Sequence, residues 1–183
     1  MKFAALILTL AATAAISTPA GAKALYNTPV YHAETKSYFE LVPVPHGHSM
    51  RDKSSPETDW THAMRFAAGR MFKETRGRLA VIKSQDTNDF LVRTFDPPQS
   101  AWFGLRFFCG VRKLIWVTGD VHPPNGFKNW GPTWQAPGDA PCAGGQQWAP
   151  IALARTDAGF RWEARGQAKE FFYYLVEYPT GKP

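Results

Sequence analysis

The 183-residue chain holds only two cysteines, Cys109 and Cys142. Structural zinc needs three or four Cys or His ligands at fixed spacing, and nothing here offers them. His46-Gly47-His48 lies in a polar loop without partners and reads as solvated. No Gly-x-Ser-x-Gly nucleophile motif occurs, and no glycine-rich phosphate cradle follows a strand. Cys142-Ala143-Gly144-Gly145 reads as a turn. Asp139, Asp157 and Glu163 could pair for glycoside hydrolysis, but no pattern brings two of them together, so the chain is read as a non-enzyme. Like charges never run in a block, so the net charge of +6 reads first as ordinary solubility, with attraction to anionic surfaces or glycans the alternative, and no nucleic-acid partner is expected. No internal repeat or low-complexity tract is present.

Long apolar runs are also missing, except at the start. Lys2 precedes an uncharged stretch from Phe3 to Ile16, Pro19 breaks it, and Ala20-Gly21-Ala22 forms a small-x-small site. That order is the secretory signature. The run is shorter than the roughly 20 apolar residues a membrane span needs. Residues 1–22 are therefore expected to be a signal peptide and 23–183 a single domain, secreted or periplasmic, with no membrane span. In an oxidising compartment the two cysteines read first as one disulfide, with two unpaired thiols the alternative. Closing that loop would contribute about 3–4 kcal/mol. Aromatic residues are plentiful, 14% with seven Trp, more than a core this size takes, so some should be exposed for binding.

The pattern predicts α+β architecture. Tyr38-Phe39-Glu40-Leu41-Val42 reads as a strand, and 43–57 as a Pro- and Ser-rich loop insertion. Trp60, Ala63, Met64, Ala67 and Met71 fall on one helical face, capped by Thr58 or Asp59 and ended by Gly77. Arg65, Arg70, Lys73 and Arg76 read as its solvated side. Leu79 to Ile82 reads as a strand. Ser84 caps a second helix carrying Phe90, Leu91 and Phe95, stopped by Asp96-Pro97-Pro98. Strands follow at 101–105, 114–117, 151–154, 160–162 and 171–178, the last apolar on both faces and so central. Residues 119–147, rich in Pro and Gly, read as a long structured loop. Helices early and strands late imply antiparallel sheets.

Read in order, these pieces resemble the C-type-lectin-like domain family, especially its bacterial secreted members. Tyr38 to Val42 resembles the first strand and Trp60-Thr61-His62-Ala63 the opening of the first helix. Gly77 to Ile82 with Ser84, Asn88 and Phe90 is similar to the stretch through the second helix. Trp102-Phe103-Gly104-Leu105 resembles the Trp-Ile-Gly-Leu signature. Trp116 to Asp120, Phe127 to Trp130, and Val176-Glu177-Tyr178 complete the series. The similarity covers about residues 37–178.

What the resemblance implies is a carbohydrate-binding protein, with a protein-binding module on the same fold as the alternative; the partner would be a glycan or a surface protein. The family's bridge from first helix to last strand is absent, since Ala67 or Ala68 and Val176 stand there. Cys109 and Cys142 would instead pin the long loop to the strand before it. Sugar-binding members hold calcium with a Glu-Pro-Asn-like triplet and a Trp-Asn-Asp triplet. Here the corresponding stretches are Gln135-Ala136-Pro137-Gly138-Asp139, whose proline bond is a candidate for cis, and Trp162-Glu163-Ala164. Calcium takes 6–8 oxygens, and Gly138 and Ala164 bring none, so no cofactor and no metal are expected. The ligand surface is expected from Trp134, Gln135, Asp139, Gln146, Gln147, Trp148, Trp162 and Glu163. For Trp134 and Trp148, stacking on a sugar and closing a small core are both open.

Overall fold

The computed structural model describes residues 25–135 and 142–183. Residues 1–22, expected to be a signal peptide, and Pro137 and Asp139 lie outside the described residues.

Among the described residues, two α-helices pack against one mixed nine-stranded sheet. In chain order the elements are β1 (Val30–His32), β2 (Ser37–Pro43), α1 (Trp60–Gly69), β3 (Met71–Phe72), β4 (Thr75–Arg76), β5 (Arg78–Leu79), α2 (Gln85–Phe95), β6 (Ala101–Phe108), β7 (Lys113–Trp116), β8 (Trp130–Gln135), β9 (Trp148–Thr156), β10 (Gly159–Ala164) and β11 (Tyr173–Tyr178). The sheet order is β1-β2-β11-β6-β9-β10-β8, with β5 on β11 and β7 on β6, and β3-β4 form a separate hairpin. Most pairs are antiparallel, but β11–β6 and β10–β8 are parallel, which corrects the expectation of wholly antiparallel sheets. β11 is central and almost wholly buried, as its apolar run requires.

Both helix starts follow from side-chain chemistry. Asp59 accepts the His62 N–H at 3.0 Å, and Ser84 accepts the Thr87 N–H at 3.1 Å, each satisfying an orphan first-turn donor. The end of α1 differs from expectation. It stops at Gly69, because Arg70 turns extended and the β3-β4 hairpin follows, with Lys73 and Glu74 both at positive φ. Met71, expected on the apolar face, is exposed.

Arg70 is no solvated side chain. Its guanidinium meets Glu40 at 2.6 Å and Tyr178 at 3.1 Å, and the Tyr178 hydroxyl donates to Glu40 at 2.5 Å. This network ties the end of α1 to β2 and β11, where Ala67 and Val176 pack together without a bridge. Glycine is required at 77 for a steric reason: a Cβ there would lie 2.6 Å from the Ala67 carbonyl oxygen. Past Pro43, which still belongs to β2, the 43–57 insertion is strandless but fastened, since buried Glu170 accepts from Ser49 Oγ at 2.7 Å and from the Met50 N–H at 2.6 Å.

Two apolar clusters fill the body. One joins Phe39, Leu91, Phe95, Phe103, Trp116 and Trp162; the other joins Trp60, Ala63, Trp102, Tyr174 and Tyr178. Trp60 and Trp102 bury their rings yet satisfy their indole N–H groups on the carbonyls of Phe103 and Thr58.

Candidate functional site

The long loop contains a strand. Trp130–Gln135 forms β8 and pairs parallel with β10, Trp162 opposite Trp130 and Ala164 opposite Gln135. This pairing stands Trp130 on Trp162 at 5.5 Å, edge to face, and lifts Trp134 beyond it. Trp134 packs edgewise on Phe107 at 5.3 Å and stays 39% exposed. The disulfide Cys109–Cys142, with Cα atoms 5.7 Å apart, joins the end of β6 to the returning loop. The paired reading of the cysteines and the pinned loop are thus both observed.

Between the β6-β7 hairpin and this loop lies an open cleft of about 640 Å³. Phe107, Leu114, Trp130 and Trp134 make its apolar wall, and Val121, Pro123 and Pro124 continue it along the loop. Arg112, Lys113 and Lys128 reach it from exposed positions, and His122 closes part of it. His122 is 5% exposed, and neither ring nitrogen has a hydrogen-bond partner among the described residues. Burial, and then the nearby Lys128 and Lys83, hold its imidazole below the ordinary range.

Of the eight expected ligand residues, Trp134 alone lines this cleft among the described side chains. Trp162 is completely buried, with Phe103 at 5.3 Å and Phe127 at 5.5 Å, so it supports Trp130 and presents no face to a ligand. That corrects the expectation for this residue. Trp148 sits against Trp60 at 5.5 Å and over the Arg106 guanidinium at 5.3 Å, the packing member of the Trp134–Trp148 pair. Gln146 and Gln147 flank a separate shallow depression beside Phe108, Cys109 and Val111. Gln135 lies at the end of β8, opposite Ala164. Apart from Trp134, the described lining of the cleft was missed from sequence; only Trp130 carried a signal, as a loop indole that must pack somewhere.

The described part of the region that holds calcium in the fold's sugar-binding members offers poor chemistry for it. Glu163, mostly buried, is ion-paired with Arg165, and Ala164 offers no oxygen. A carboxylate already neutralised by a guanidinium is a poor start for a cation needing 6–8 oxygens. The one cluster of three potential ligands among the described residues, His32, Glu34 and Asp86, lies elsewhere. There the His32 ring bonds Asp86 at 2.8 Å, in the first turn of α2, whose dipole opposes a cation.

With fold and cleft in place, the class is defined: the chain has the C-type-lectin-like fold. It is similar to the cow C-type carbohydrate-recognition domain of CD23, solved in the presence of a GlcNAc2Man3 oligosaccharide, at 17% identity over 85% of this chain and 96% of that one, TM-score 0.56. SPL-1 in complex with GlcNAc is similar at 11% identity, 84% and 94% coverage, TM-score 0.57. Human lithostathine is similar at 14% identity, 93% and 96% coverage, TM-score 0.55. No protein-family model and no curated protein matches the chain. No helix among the described residues is long and apolar enough to cross a membrane.

Proposed function

We propose that this is an exported carbohydrate-binding, lectin-like protein of the bacterial secreted kind, acting without a calcium site of the family type and without catalysis. Residues 1–22 would be removed on export, leaving 23–183 as one domain in the periplasm or outside the cell. The observation that carries this reading is the exposed indole of Trp134 beside Phe107 at the mouth of an open cleft. Such a ring stacks on the apolar face of a sugar. The similarity to a C-type carbohydrate-recognition domain, that of cow CD23, and to SPL-1 in its GlcNAc complex lends support to the ligand class.

One observation favours a surface protein as the partner instead. Val111 and Val121 are 60% and 49% exposed, Val121 in the cleft wall. Exposed apolar surface of this kind also marks protein contacts. A glycan array probed with calcium and again with EDTA separates the readings. Binding that persists in EDTA supports the lectin reading. Binding lost in EDTA overturns its calcium independence, and no binding in either condition moves the function to a protein partner.

A further inference from the structure

We propose that the cleft selects an acidic saccharide, one whose sugar rings carry carboxylate or sulfate groups; this rests on the carbohydrate reading above and narrows it. The reasoning starts from the donor chemistry of the lining. A site for neutral sugar needs acceptors as well as donors, because each hydroxyl gives a proton as well as receiving one. Asp, Glu, Asn and Gln supply those acceptors. None of them lines this cleft among its described residues, and the ring nitrogens of His122, one of which could accept, are buried away from a ligand. Its charged side chains are Arg112 and Lys113 from the turn into β7 and Lys128 from the loop, all donor-only.

Among the described residues, no ion pair engages any of these three cations. The ammonium of Lys128 donates to the Pro124 carbonyl, leaving further N–H groups for a ligand. Asp120, the described carboxylate of the loop, is held by Lys83 at 2.9 Å and lies outside the cleft. Among the described residues, positive charge is therefore gathered without compensation around an aromatic wall. Guanidinium and ammonium groups bind carboxylate and sulfate oxygens through charge-assisted hydrogen bonds, about twice as strong as neutral ones. The wall of Trp134, Trp130 and Phe107 demands an apolar face on the same ligand. A saccharide with anionic substituents has both; a bare polyanion lacks the face and a neutral sugar lacks the charge. His122 answers to the same field, since Lys128 and Lys83 add to burial in keeping its ring neutral.

The test is calorimetric titration of the protein with tetragalacturonate and with its full methyl ester, in EDTA. The two differ in charge and hardly in shape. The acid should bind at least about tenfold more tightly. That ratio should shrink several-fold between about 50 and about 300 mM salt, because exposed charges are screened. It should also shrink in the Lys113→Gln/Lys128→Gln variant; both positions are exposed, so the fold should persist. A sulfated galactan tetrasaccharide, compared with its desulfated parent, extends the test to sulfate, and tighter binding of the sulfated form supports the inference equally. Equal affinity for charged and neutral forms in both comparisons overturns it while leaving a neutral-sugar lectin standing. Tripolyphosphate binding as tightly as the acidic sugars overturns it too, since bare charge would then suffice. A failure of every saccharide to bind, here and on the array, sinks the carbohydrate reading itself.

Discussion

Truncating Trp134 and truncating Trp162 should have opposite consequences, although both were expected from sequence to face the ligand. Trp134 is held by edge contacts to Phe107 and Trp130 and is over one-third exposed. Aromatic pairs of this kind contribute about 0.5–1.5 kcal/mol each, so Trp134→Ala should cost about 1–2 kcal/mol of stability. For a chain of this length that lowers Tm by about 2–8 °C. An indole anchoring a ligand contributes about 2 kcal/mol or more, so the same change should weaken glycan binding about 30-fold. Trp162 has zero exposure and touches Phe103, Trp116, Phe127 and Trp130. Trp162→Ala opens a cavity and should cost about 3–5 kcal/mol of stability. Urea melts followed by circular dichroism give the stabilities, and calorimetry on the folded variants gives the affinities. A Trp134→Ala protein that folds and binds glycan within about twofold of the parent would refute the placement of the site.

Other predictions concern the frame around the cleft. Burial depresses the His122 pKa in the folded protein, while the unfolded chain takes its proton near the ordinary value of about 6.5. Stability should therefore be full above about pH 6.5 and decline as pH falls below it, and His122→Phe should flatten that decline in urea melts; an unchanged slope would show that other groups cause it. Glu40→Ala strands Arg70 and the Tyr178 hydroxyl and should cost about 2–4 kcal/mol, discounted because Arg70 is one-third exposed; a cost below about 1 kcal/mol would contradict the network's role. Cys109→Ser/Cys142→Ser removes the 33-residue linkage and should cost about 3–4 kcal/mol by urea melt, with glycan affinity falling as the loop loosens. Gly104→Ala would set a Cβ 2.8 Å from the Leu79 carbonyl oxygen, inside the Trp102–Leu105 signature, and should cost about 1–3 kcal/mol or more by the same assay.

Much of the fold was legible where local chemistry agrees with the tertiary outcome. The caps at Asp59 and Ser84, the strand at β2 and the buried β11 all announce themselves through neighbouring residues. The end of α1 was not legible, because Met71 continues the apolar period by accident. The hairpin that interrupts it turns on Lys73 and Glu74 at positive φ, not on the Asn-Gly pair that signals such turns. Strand β8 was hidden for a related reason. Trp-Gly-Pro-Thr-Trp-Gln contains the two residues that usually break strands, and only pairing with β10 makes it one.

The site was less legible than the fold. Trp134 stood out as a loop indole, but Arg112 and Lys113 lie far in sequence from Lys128, and no spacing links them. The closed loop and the β6-β7 hairpin bring them to one cleft. Glu163 reads as available in the sequence, but Arg165, two residues on, holds its carboxylate.

The central claim, that the cleft beside Trp134 receives a saccharide, is tested most directly by following the seven tryptophan indole N–H resonances by NMR during titration with tetragalacturonate. The account predicts that the Trp134 resonance moves most and Trp130 next, while Trp60, Trp102 and Trp162, all buried, stay in place. Movement confined to Trp148, with Trp134 unchanged, would contradict it and put the ligand on the other side of the loop.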